Sequence, residues 1–142
     1  MTQRNGWEVA RLEEIPAIGL ASDPSYWQQW AHDPGYGQRW HSIRHYFGIT
    51  GFGVNANEAS AGEELVVPHD ETELGGQEEL YLVLRGRARF VCDGEEVELG
   101  VGELLYVRPE VEREATALET PTVVFMVGGA PGGPYRPWPG DS

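Results

Sequence analysis

The chain predicts an all-β fold, and three observations carry the prediction. Short apolar runs recur at even spacing between residues 43 and 128, with turn residues between them. That pattern suits a sandwich or barrel. Gly and Pro number 19 and 10 in 142 residues, and long helical periodicity is missing, as expected of a turn-rich β chain. Asp93-Gly94 lies between two alternating runs, 87–92 and 95–99, which is a strong two-residue hairpin signal. A chain of this length fits one domain, 1–142, and can bury a substantial core.

In chain order, residues 7–12 read as an edge strand. Ser22-Asp23-Pro24-Ser25 is a helix start, with Asp or Ser as cap, and 26–32 supply one or two turns. Asp33-Pro34-Gly35 ends that helix. Trp27, Trp30 and Trp40 make the segment unusually aromatic. The rings suit either a satellite core capping a barrel end or a lid over a ligand pocket. From Ile43 the chain reads as strands, first 43–49 and then 51–57. In the second, Phe52, Val54 and Ala56 alternate with Gly53, Asn55 and Asn57. Residues 104–107, 113–118 and 122–127 continue the series. This divides the domain into an N-terminal extension, short and irregular or helical, over 1–42, a barrel over 43–128 and an irregular tail over 129–142. The tail holds four prolines, and Tyr135 and Trp138 are suited to dock it on the barrel. His32, His41 and His45 read as hydrogen-bonded structural histidines, and Cys92 as a small strand residue.

The formal net charge of −13 argues against nucleic acid and against an anionic membrane surface. No run approaches the length of a transmembrane helix. The first eight residues lack a signal-peptide core, and one Cys excludes an intramolecular disulfide framework. These features fit the cytoplasm. Phosphate-binding loops, a Gly-x-Ser-x-Gly elbow and paired Cys-x-x-Cys zinc ligands are all missing.

The stretch 62–86 carries the chemistry. It opens with Leu65-Val66-Val67, presents His69, Glu71 and Glu73 at alternate positions, and breaks at Gly75-Gly76. It resumes as Glu79-Leu80-Tyr81-Leu82-Val83-Leu84. Alternate residues of a strand share a face. Glu79, Tyr81 and Val83 therefore point one way and Leu80, Leu82 and Leu84 the other. Two such strands would line a polar cavity inside a β protein.

This stretch resembles the first motif of the cupin superfamily: a Gly, His-x-His, a Glu, six residues and a Gly. Glu79, six residues and Gly86 match that spacing. Gly62 and His69 stand one residue further apart than usual, Glu71 replaces the second His, and the gap from Glu71 to Glu79 is long. The second motif is similar to the stretch from Gly102 onward. There Arg108-Pro109-Glu110 stands for Pro-Pro-Gly, and Arg113 occupies the position of the last His. The resemblance covers about residues 46–128. It implies a cupin-type double-stranded β-helix, or jelly-roll barrel. It also implies that His69, Glu71, Glu79 and Arg113 converge inside the barrel, where typical members hold a divalent metal.

His69, Glu71 and Glu79 alone would make an oxygen-rich site suited to manganese or iron. Arg113 has no lone pair to offer, but its donor fork suits the two carboxylates. The expected pocket is therefore His69, Glu71, Glu79, Tyr81 and Arg113, without a tightly bound metal or other cofactor. It would bind a small polar molecule in a sensor or accessory role. The alternative is a metal-dependent enzyme of the oxygenase, isomerase or decarboxylase kind, using His69, Glu71 and Glu79. A third possibility, similar to the sugar epimerases of this fold, pairs His69 with Tyr81 as base and acid. The resemblance also implies a homodimer that pairs edge strands.

Overall fold

The computed structural model describes residues 6–15, 17–18, 39–73, 76–137 and 139–140. Among them are ten strands in two antiparallel sheets. The strands are β1 (Ala17–Ile18), β2 (Arg39–His41), β3 (Gly53–Ala59), β4 (Glu64–His69) and β5 (Glu78–Arg85). They continue as β6 (Arg87–Cys92), β7 (Glu95–Gly100), β8 (Leu104–Val107), β9 (Arg113–Ala117) and β10 (Thr122–Gly129). One sheet runs β1-β2-β3-β10-β5-β8 and the other β4-β9-β6-β7. This is the jelly-roll arrangement expected. No helix among the described residues is long and apolar enough to cross a membrane.

The core lies between the sheets. Tyr81 and Val83 of β5 meet Phe90 of β6, Ala115 and Ala117 of β9, and Val124 and Met126 of β10. Phe90 is wholly buried, and its ring centroid is 5.1 Å from that of Tyr81. Leu80 and Leu84, on the opposite face of β5, are 43% and 40% exposed. The all-apolar row of this strand is thus its outer face, and the row with Glu79 faces inward.

Two turns show why the sequence folds this way. Asp93 and Gly94 both have positive φ, 48° and 85°, as a type I′ hairpin requires. Gly86 joins β5 to β6 at φ 73°. A Cβ there would stand 2.7 Å from the Pro121 carbonyl oxygen and 2.9 Å from the Thr122 Cα, so only glycine fits.

Two expected strands are not formed. Residues 7–10 carry no regular structure, and a single 3-10 turn, Leu12–Glu14, follows. Trp7 and Val9 are 69% and 81% exposed. Two apolar residues without a sheet edge to pair with do not make a strand. The stretch read as a strand over 43–49 contains a short helix, α1 (Ile43–Phe47). Ile43, Tyr46 and Phe47 have the i, i+3, i+4 spacing of a helix face. Gly48, at φ 71°, ends it, donating its N–H back to the last turn.

The aromatic segment 26–32, with Trp27, Trp30 and His32, lies outside the described residues, as does Trp138. Tyr135 is 74% exposed rather than docked. His41 is structural, with its Nδ1 2.7 Å from the Ile15 carbonyl, and Cys92 packs against the core.

Candidate functional site

A cavity of about 560 Å³ opens beside the core. Its wall includes His69, Glu71, Glu79, Tyr81 and Trp40. Arg113 lies behind the carboxylates and is fully buried. All five expected pocket residues are therefore brought together.

Strand register explains the convergence. β4 pairs with β9 so that His69 is opposite Arg113, with register shifts between Glu64 and Val66 and between Val66 and His69. The extra residue between Gly62 and His69 is absorbed by these irregularities, and consecutive Leu65 and Val66 are both buried. Glu71 stands beyond the end of β4, in a turn. Its N–H donates to the Pro109 carbonyl at 2.8 Å, and its own carbonyl accepts from Gly76 at 2.9 Å. That turn accommodates the long gap before Glu79.

The cluster is a hydrogen-bonded relay. Arg113 donates from one terminal nitrogen to Glu79 at 2.8 Å, and the same nitrogen lies 3.6 Å from Glu71. Its other N–H groups donate to the carbonyls of Arg108 at 2.7 Å and Val111 at 3.0 Å. The guanidinium thereby also fixes the turn that leads into β9. Tyr81 donates to the same Glu79 oxygen at 2.6 Å. His69 Nδ1 is 2.7 Å from the Val67 carbonyl and so carries a proton, because a carbonyl only accepts. Its Nε2 is 2.8 Å from Glu71.

These contacts set the protonation states. Burial alone would lower the His69 pKa. Its bonds to Glu71 and Val67 and the charges of Glu71 and Glu79 outweigh burial and raise it above 6.5. Burial raises the Glu79 carboxyl above its usual value, the Glu71 charge adds to the rise, and Tyr81, His69 and Arg113 oppose it. Burial, with Glu79 beside it, pushes the Tyr81 phenol well above 10. Tyr81 keeps its proton and is a hydrogen-bond donor here, poorly suited to act as an acid opposite His69.

Three groups of this cluster are potential metal ligands. One ligand atom each from His69, Glu71 and Glu79 can come within 4.8 Å of one another, a spacing that a shared ion could bridge. Some of their lone pairs are already engaged: His69 Nε2 shares a proton with Glu71 Oε2, and Glu79 Oε1 accepts from both Tyr81 and Arg113. The fourth position holds a fixed cation. A unit charge ~4.5 Å from a dication is repelled by about 7 kcal/mol at an effective dielectric of ~20. As arranged, Arg113 pairs with the carboxylates at the fourth position, while the spacing of His69, Glu71 and Glu79 is one that a metal could bridge.

Sequence reasoning missed two features of the cavity wall. Asn57 is 6% exposed. Its Nδ2 donates to the Leu65 carbonyl at 2.9 Å across the two sheets, and its Oδ1 has no partner among the described residues. Its place on the face alternate to Val54 and Ala56 was the available signal. Ser42, Arg44 and His45 also line the cavity. Reading α1 as a strand hid them.

Residues 62–128 match the family model described as "Cupin domain". A cupin protein from Bacteroides fragilis is 25% identical and superposes with a TM-score of 0.57, over 68% of this chain and 79% of its own. A protein from Photorhabdus luminescens is 15% identical, with a TM-score of 0.57 over 74% and 83% of the two chains. A protein with a double-stranded β-helix domain from Klebsiella pneumoniae is 22% identical, with a TM-score of 0.51 over 59% and 71%. No curated protein matches the chain. Residues 62–128 are thus similar to the cupin domain, and the two-sheet barrel has the cupin fold.

Proposed function

We propose that this cupin-fold protein binds a small polar molecule in its barrel without a tightly bound metal, as a sensor or accessory protein of the cytoplasm. The observation that carries the reading is the ion pair of fully buried Arg113 with Glu79, with Glu71 beside it, the two carboxylates lining an open cavity. A buried cation matched by carboxylates needs no metal to balance it. His69, Glu71, Glu79 and Tyr81 would then supply hydrogen bonds to the ligand.

Elemental analysis of purified protein tests the proposal. Iron, manganese, nickel and zinc should each be far below one per chain. Near-stoichiometric metal that is lost in His69→Ala would refute it. That result would promote the metal-dependent enzyme reading, which the spacing of His69, Glu71 and Glu79 favours.

We also infer a homodimer. Leu80, Leu84, Leu104 and Tyr106 are exposed and share the outer face of β5 and the edge strand β8, where Leu80 pairs with Tyr106. A monomer mass by light scattering at micromolar concentration would overturn this.

A further inference from the structure

We propose that the cavity takes a small carboxylic acid bearing hydroxyl or amino groups, with the carboxylate received by Arg44 and Ser42. This rests on the metal-free, polar-ligand reading above and names the chemistry of its ligand.

The chain has ten basic residues, all of them Arg, against twenty-three acidic ones. Among the described residues, Arg44 is the only Arg in the cavity wall, which also carries Glu71, Glu73 and Glu79. Arg11, Arg87, Arg108 and Arg113 each pair with a carboxylate. Among the described residues Arg44 pairs with none. Its contacts are the Ile49 carbonyl at a long 3.4 Å and His45 Nε2 at 3.2 Å. A guanidinium has five N–H donors, so most of this fork is uncommitted, and a planar fork matches a carboxylate.

The neighbours add a second donor. A guanidinium only donates, so His45 Nε2 accepts and the ring proton is on Nδ1. That nitrogen is 2.8 Å from Ser42 Oγ, which therefore accepts from it. The Ser42 hydroxyl proton is left to donate to a further group. Arg44 and the Ser42 hydroxyl can therefore both donate to an anion.

The other side of the cavity has the opposite character. Ser42 directly follows β2, and Glu79 is on β5. In the order β2-β3-β10-β5 they are three strand spacings apart, about 14 Å at ~4.8 Å per step. The carboxylates of Glu71 and Glu79 attract hydroxyl or ammonium donors. The unpartnered Oδ1 of buried Asn57 is a further acceptor in the wall between them. A molecule with an anionic end and a donor-rich end satisfies both sides, whereas a neutral polyol leaves the Arg44 fork unmatched.

Matched probes test the assignment: gluconate against sorbitol, and serine against serinamide. Binding is read from amide chemical shifts of Gly53, Asn55 and Val67 in the cavity wall. At least one acid should bind about tenfold more tightly than its neutralised partner. Arg44→Gln should abolish that preference, and Arg44→Lys should restore part of it. If sorbitol or serinamide binds as well as its acid, the carboxylate assignment is overturned while the polar-ligand reading stands. If none of the four probes shifts these amides, the assignment is overturned too. An acid preference that survives in Arg44→Gln has the same meaning. Failure of the underlying reading is seen separately, as bound metal.

Discussion

Replacing Arg113 with Ala removes every contact of a fully buried cation. The guanidinium satisfies Glu79 at 2.8 Å and the carbonyls of Arg108 and Val111 at 2.7 and 3.0 Å, and it lies 3.6 Å from Glu71. Truncation leaves two buried carboxylates without their cation and two turn carbonyls without a donor. Breaking a buried pair costs about 3–5 kcal/mol, against a typical total stability of about 5–15 kcal/mol. Urea unfolding, followed by the fluorescence of the five Trp residues, measures this as a fall in midpoint at constant slope. Arg113→Met separates charge from packing, because it refills most of the volume but leaves Glu79 unpaired. Adding Glu79→Gln to Arg113→Met should recover part of the loss, with a coupling of about 1–3 kcal/mol. A cost below about 1 kcal/mol for Arg113→Ala, or strict additivity in the double variant, would show that the pair does not organise the barrel interior.

Other outcomes follow from the same geometry. Arg113→His restores the ligand type of the cupin motif and removes the fixed cation, so its affinity for Mn²⁺ or Zn²⁺, read by calorimetry, should exceed that of the unmodified chain; equal or weaker binding contradicts the electrostatic argument. Gly86→Ala combines positive φ with a clash against the Pro121 carbonyl and should cost about 2–5 kcal/mol in urea unfolding; a neutral result would mean that the turn can move. The raised His69 pKa means that between 6.5 and its folded value the folded chain holds a proton the unfolded chain has lost. His69 thus contributes stability that is complete below 6.5 and lost as pH rises through the folded value. The stability difference between the wild type and His69→Gln should therefore shrink as pH rises from 6 to 9, and a difference that grows would reverse the sign of the argument.

Period-two patterns and turn chemistry made the barrel legible in the sequence. Asp93-Gly94 needs positive φ twice, and Glu79 with Gly86 brackets one strand and its tight exit; local rules decide both. The convergence of His69, Glu71, Glu79 and Arg113 is not a local property. It depends on β4 pairing with β9 across about forty residues, and the cupin resemblance supplied what periodicity could not. The same resemblance left the interior chemistry open, because Glu71 and Arg113 are departures from its motif. Their effect had to be worked out from which lone pairs and donors meet. The misread segment shows the converse. Ile43, Tyr46 and Phe47 carry a helical spacing, but five residues are too few for periodicity to compete with the strands that follow. Gly48 was the better signal, since a glycine directly after an i, i+3, i+4 set marks a helix end. Reading it so would have put Ser42, Arg44 and His45 on a helix beside β3. That placement gives the cavity a cationic wall as well as an acidic one.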